Sequence, residues 1–124
     1  MAVKPKVQKL RPGMRSLAVG AELPPLVLRV RGNKNKRTAK QLVEDGPVLI
    51  AIVALDAGGE MEEHYEGPVT MQCLLGRSDI KSGGGQNELS TGDLVIIDAG
   101  ATVQVAAKEA TALLITELRG DTQA

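Results

Sequence analysis

The sequence predicts an all-β fold, a barrel or sandwich built from short strands. Short runs rich in Val, Ile and Leu recur between glycine-containing turns, a pattern typical of such folds. The chain has no Trp and no Phe, and Tyr65 is its only aromatic residue, so aliphatic side chains must fill the core. Its 124 residues suit one domain, and its longest apolar run, 47–55, is strand-sized and far too short to cross a bilayer.

The first third of the chain gives the weaker signals. Residues 1–20 hold scattered apolar positions between prolines and a glycine, which predicts an extended N-terminal arm. A first strand is predicted at 26–30, whereas the pattern in 37–44 fits either a short helix or an edge strand. We therefore expect a basic arm over 1–20 and a single barrel domain over 21–124.

From residue 47 onwards the pattern is clearer. The alternation in 60–66 is imperfect, and the glycine-rich stretch 82–87 predicts a loop at a hairpin tip. No linker divides this part of the chain, so it is expected to fold as one unit. Strands are predicted at 47–55, 69–75, 77–81, 93–97, 102–106 and 111–118.

Charge is distributed unevenly along the chain. Residues 1–46 carry eleven Lys/Arg and three Asp/Glu, whereas residues 47–124 carry four and twelve, so the balances are +8 and −8. A basic arm can bind nucleic acid, or it can pack across the acidic half of the same chain or of a partner. We favour packing, and expect no nucleic-acid partner, because no aromatic side chains accompany the basic ones to stack on bases.

Compartment and redox state follow from two further features. No apolar stretch follows the basic N-terminus, so no signal peptide is expected, and no segment predicts a membrane partner. Cys73 is the only cysteine, which rules out an intramolecular disulfide and is compatible with a reducing compartment. The expected location is the cytoplasm.

The spacing of the glycines in two stretches of the sequence is the basis of a family resemblance. Five residues separate Gly58 from His64, and Gly76 closes this first stretch. In the second stretch, five residues separate Gly92 from the turn 98–100, and Val103 follows that turn after two residues. These stretches resemble the paired motifs of the cupin superfamily, and the resemblance covers roughly 37–118. It implies a double-stranded β-helix, the cupin jelly-roll barrel, and a homodimer, since many small cupins are dimers.

The resemblance also implies what this chain has lost. Family members that hold a metal use three His and one Glu inside the barrel. Here only His64 is kept, because Glu66 stands at the second His position and Val103 at the third, while the Glu position falls near Val69 or Thr70. One imidazole cannot replace three, so we expect no usual metal centre and no cofactor.

A weaker hypothesis gives the remaining polar residues a role. If 62–66 is extended, Glu62, His64 and Glu66 share one face, where they could hold a divalent ion or act as acid and base. Metal-free relatives epimerise or isomerise sugars with a His, an acidic partner and a Tyr. Here His64 and Tyr65 are adjacent in an extended segment, so they should point to opposite faces. We favour a solvated strand face.

The second strand of the motif region is expected to line the barrel. Val69, Met71, Cys73 and Leu75 should share its inner side, which with Val103 would form a dry core or a small apolar pocket. A dry core is the favoured interpretation. Catalysis at Cys73 is not expected, because no orienting group accompanies it and buried thiols are inert.

The predicted function follows from these losses. We expect a small cupin-fold protein that binds a small molecule or serves as an assembly module, with no enzymatic activity favoured. The candidate ligand-binding residues are His64, Glu66, Met71, Cys73 and Val103. The alternative is an isomerase or epimerase, metal-independent or weakly metal-dependent, that uses His64 with Glu62 or Glu66.

Overall fold

A computed structural model describes residues 13–119, which form one helix and nine strands. No helix within these residues is long and apolar enough to cross a membrane. The elements are α1 (Val19–Arg31), β1 (Arg37–Asp45), β2 (Val48–Leu55), β3 (Glu60–Tyr65), β4 (Val69–Leu75), β5 (Arg77–Ser82), β6 (Gly85–Ser90), β7 (Leu94–Ile97), β8 (Ala101–Ala107) and β9 (Thr111–Leu118).

The nine strands form two antiparallel sheets whose inner faces enclose the core. The five-stranded sheet has the order β1-β2-β9-β4-β7, and the four-stranded sheet has the order β3-β8-β5-β6. Side chains alternate along each strand, so every second residue points between the sheets. The predicted all-β jelly roll is therefore confirmed. No backbone ladder joins the edge strands β1 and β3 in the described part of the chain, so the barrel is open along that side.

Strand β2 explains the longest apolar run of the sequence. It pairs with β9 along its whole length, from Val48 opposite Leu118 to Leu55 opposite Thr111. Leu55 is buried between the sheets, whereas Ile52 is buried on the outer face of the sheet. Because the strand is covered on both faces, side chains pointing either way are apolar, which accounts for the unbroken apolar run.

Helix α1 corrects the prediction of a first strand at 26–30. Leu26 and Val30 are buried against the outer face of the five-stranded sheet. Pro24 and Pro25 lie within the helix and leave two of its hydrogen bonds unmade, and such a pair ordinarily indicates a helix break. Burial of the apolar face outweighs this loss. Its members have helical spacing and were a usable signal: Val19, Leu23, Leu26 and Val30.

Most other elements agree with expectation. Residues 37–44, left open between helix and strand, belong to β1, which is tied to α1 by an ion pair of 2.7 Å between Lys40 and Glu22. The loop predicted over 82–87 is shorter, because β6 already begins at Gly85. Of the predicted arm, residues 1–12 lie outside the described residues. The strands at 47–55, 69–75, 77–81, 93–97, 102–106 and 111–118 are confirmed to within one residue at either end.

A bulge near the end of β4 corrects the expectation for Leu75. The pairing with β9 shifts between Cys73 and Leu75, so Leu75 leaves the barrel interior and is 39% exposed. Gly76 follows with a φ of +89°, and its Cα packs against the Ala110 carbonyl, where no side chain would fit. The glycine spacing of the first motif thus has a steric cause at this position.

The core contains one hydroxyl whose hydrogen-bonding potential is unmet. Ser78 on β5 is fully buried, and its Oγ has no partner among the described residues. We predict that Ser78→Ala raises the free energy of unfolding by about 1 kcal/mol, because it removes an unsatisfied polar atom. Chemical denaturation checks this.

Thr111 provides the matched control for that prediction. It is equally buried, but its hydroxyl lies 2.8 Å from the Glu109 carbonyl and 3.0 Å from the Arg77 carbonyl. Thr111→Val should therefore lower stability by about 1 kcal/mol or more. A loss of stability in Ser78→Ala similar to that in Thr111→Val would contradict the assignment.

Candidate functional site in the barrel mouth

A cavity of about 360 Å³ opens where the barrel is not closed, between β1 and β3. Its wall is mainly apolar: inward-facing Leu49, Ala51 and Val53 come from β2, and Ile115 comes from β9. We call this space the barrel-mouth cavity. Its polar lining consists of Arg37, Thr38, Gln41, Glu63, Tyr65 and Glu117. An apolar wall with a few convergent polar groups is the usual composition of a small-molecule site.

An ion pair crosses the rim of the cavity. Arg37 Nη2 on β1 lies 3.4 Å from Glu63 Oε2 on β3, and both side chains are a little under half exposed. The pair links the two edge strands that lack a backbone ladder. Such an exposed pair adds little to stability, so its main effect is to fix the charges at the entrance.

Tyr65 lies deeper in the cavity and is 8% exposed. The pKa of its phenol is raised from 10.0 to about 12, mainly by burial and also by the carboxylates of Glu63 and Glu117. Arg37 acts in the opposite direction but more weakly. At neutral pH the hydroxyl is therefore a neutral donor and acceptor near the two carboxylates.

The histidine and its acidic neighbours lie on the other side of the same sheet. Strand β3 buries Met61 and Tyr65 and leaves Glu62 and His64 exposed, so His64 points away from the barrel. Its Nδ1 lies 3.1 Å from Thr102 Oγ1, and its Nε2 lies 3.9 Å from a carboxylate oxygen of Glu66. The expected opposition of His64 and Tyr65 is thus present. The arrangement does not favour acid–base chemistry by His64 inside the barrel.

The three apolar candidates lie in the core instead. Met71, Cys73 and Val103 are at most 1% exposed, and none of them lines the barrel-mouth cavity. Burial raises the pKa of the Cys73 thiol, whose Sγ is 3.4 Å from the carbonyls of Leu75 and Gly76. A buried protonated thiol is a poor nucleophile. The five residues named from the sequence therefore do not form one site, and whether any of them contacts a ligand stays a prediction.

Comparison with known proteins identifies the architecture. No protein-family model matches the sequence, and no curated protein matches it. The structure superposes on a cupin superfamily protein from Desulfitobacterium hafniense with a TM-score of 0.69 and 21% identity, over 94% of this chain and 100% of that one. An RmlC-like cupin from Shewanella frigidimarina gives a TM-score of 0.64 and 12% identity, over 73% of this chain and 82% of that one.

The protein has the cupin fold. A protein of unknown function from Rhizobium leguminosarum is also similar, with a TM-score of 0.68 and 16% identity over 87% of this chain and 99% of that one. At these identities the likeness establishes the fold and leaves the chemistry to be argued from the site itself.

The usual cupin metal centre does not fit this cupin barrel. The chain has a single histidine, and β3 carries it to the outer face. Val103, at the position of the third histidine, is completely buried among aliphatic side chains. Within residues 13–119, no three His, Cys, Asp or Glu side chains are grouped to hold a metal ion. The donor set that such a centre requires is thus missing.

The residues of the barrel-mouth cavity were missed by sequence reasoning for a definable reason. Leu49, Ala51 and Val53 alternate along β2, but the apolar residues between them hide the period. Glu62 and His64 were named as candidate site residues, and Glu63 was not. Because Met61 and Tyr65 are buried, position 63 also lies on the inner face of the strand. The signal was the aliphatic and aromatic character of positions 61 and 65.

The raised pKa of Tyr65 has a measurable consequence. The unfolded chain releases the phenol proton near pH 10.0 and the folded chain only near pH 12, so above pH 10 the folded state holds the proton that the unfolded state has lost. We predict that the free energy of unfolding falls by about 2 kcal/mol between these pH values.

Tyr65→Phe should remove that part of the pH dependence. Because Tyr65 is the only aromatic residue, the ultraviolet absorbance of tyrosinate reports its titration directly. Titration of the native chain with an ordinary tyrosine pKa would contradict the assigned environment.

Proposed function

We propose that this cupin is a binding module that holds a small, partly apolar molecule in the barrel-mouth cavity without transforming it. The observation that carries the proposal is the cavity itself, an opening between two sheets that is lined by aliphatic side chains and by a few polar ones. Its volume is at the lower end of the range for ligand sites, which suits a small ligand.

The positions of the reactive side chains support binding over catalysis. The only histidine and the only cysteine of the chain both lie outside the cavity. Inside it, Tyr65 stays protonated at neutral pH, which makes it a hydrogen-bonding group and a poor base. The isomerase or epimerase alternative relies on His64, and the exposure of that side chain gives it no support.

Occupation of the cavity can be tested with an uncharged probe. Hexanol should bind and change the fluorescence of Tyr65, the only aromatic residue of the chain and part of the cavity wall. Ala51→Leu places a larger side chain in the cavity and should weaken binding by about tenfold or more, because the probe loses the space that it fills.

His64→Ala is the control for that experiment, since the altered side chain is on the opposite face of the sheet. It should bind hexanol as the unaltered protein does and should keep the fold. Undiminished binding by Ala51→Leu would show that the probe sits elsewhere, and loss of binding in His64→Ala would restore the outer face as the site.

We further propose that the protein forms a homodimer through β7. This strand is an edge of the five-stranded sheet, and it exposes Leu94 at 56% and Ile96 at 70%. An unpaired edge with apolar side chains favours pairing with another strand. A second β7 running antiparallel would satisfy the same contacts on both sides, as a two-fold interface requires.

The dimer proposal is tested by sizing with light scattering. We expect Ile96→Lys to shift the protein to a monomer, because a charge would have to be buried at the interface. Leu28→Lys is the matched control, since Leu28 is similarly exposed, at 66%, but lies on α1. A monomeric unaltered protein, or an Ile96→Lys variant that remains dimeric, would overturn the proposal.

A further inference from the structure

The barrel-mouth cavity carries more negative than positive charge. Arg37 is the only cation of its lining, and it is already paired with Glu63 at the rim. Glu117 on β9 also lines the cavity and is partly buried, and it takes part in no ion pair among residues 13–119. One carboxylate thus faces the cavity without a counter-charge from the described part of the chain.

The hydroxyl of a largely buried tyrosine accompanies that carboxylate. Tyr65 is 8% exposed and lines the cavity, and its hydroxyl is in no hydrogen bond with residues 13–119. Glu117 is close enough to act on the ionisation of its phenol. Because a neutral phenol accepts as well as donates, a ligand N–H group could bond to Glu117 and Tyr65 together.

The wall beside Glu117 is hydrocarbon. Ala51 and Val53 on β2 and Ile115 on β9 present only aliphatic side chains to the cavity. A ligand that satisfies both regions has an apolar body and a polar head. The charge of the head is set by Glu117, since an anion would have to approach an unpaired carboxylate in a partly desolvated space.

We propose that the barrel-mouth cavity selects a small organic ammonium ion, with its charged head at Glu117 and the Tyr65 hydroxyl and its hydrocarbon body on Ala51, Val53 and Ile115. This inference rests on the proposed binding function and adds the chemical class of the ligand. Arg37 remains paired with Glu63 at the entrance, so the excess charge seen by the head is that of Glu117.

The test compares three probes of equal chain length at neutral pH: hexylamine, hexanol and hexanoate. Each is titrated into the full chain, with Tyr65 fluorescence and calorimetry as readouts. Hexylamine should bind about tenfold more tightly than hexanol, because a charge-assisted hydrogen bond is added, and hexanoate should bind most weakly.

Two charge-removing variants locate the effect. Glu117→Gln keeps the side-chain shape and should abolish the preference for hexylamine over hexanol, because the amide carries no charge. Glu62→Gln removes the same charge from the exposed outer face of β3 and should keep the preference. Loss of the preference in both variants would mean a long-range charge effect and would overturn the site.

The outcomes separate this inference from the proposed function. If the three probes bind equally, or if hexanoate binds best, the ammonium assignment is overturned and the cavity remains a binding site. If none of the three binds, the binding function fails and the ammonium assignment fails with it.

Discussion

Strand β9 lies at the centre of the five-stranded sheet, and the pairing on its two sides holds the molecule together. It is bonded along its length to β2 on one side and to β4 on the other. Its alternating residues supply both cores, with Leu113 and Ile115 between the sheets and Ala112 under the helix. The same alternation places Glu117 in the barrel-mouth cavity. A shift of one residue in this strand would exchange the two sets and destroy the core and the cavity together.

Strand β3 imposes the second constraint, because it determines which polar side chains face the barrel interior and which face outward. Met61 and Tyr65 need burial, so they fix the inner side and force His64 outward. The barrel interior then receives a carboxylate and a phenol in place of an imidazole. This fold is often associated with metal chemistry. In this chain, its cavity instead offers hydrogen-bonding groups and a charge.

The absence of large aromatic residues shapes the rest of the interior. Most of the space between the sheets is filled by aliphatic side chains, including Met71 and also Val103, which stands where the resemblance places the third histidine. The barrel-mouth cavity lies on the open side, where the edge strands β1 and β3 are joined by the Arg37–Glu63 ion pair and not by a ladder. The cavity is thus a consequence of incomplete closure.

The sequence alone predicted six of the nine strands within residues 13–119, because β-branched runs and glycine turns are local signals. The boundaries of β4 and β9 were predicted to the residue, and the motif spacing was sufficient to indicate the jelly roll. It also excluded the three-histidine metal centre, since a count of one histidine needs no coordinates. The short apolar run 26–30 was wrongly predicted as a strand, because the helix that contains it is stabilised by tertiary burial of its apolar face.

Only the tertiary structure decided where the candidate site lies. The side to which His64 points depends on which face of β3 packs against the other sheet. The cavity exists because β1 and β3, which are distant in sequence, approach each other without pairing. Arg37, Glu63 and Glu117 are separated along the chain and have unremarkable local patterns, so no window of sequence could group them. The physical reason is that the strand conformation makes successive side chains point to opposite faces, which the local sequence can show. Which of the two faces lies inside is determined by the packing of the sheets.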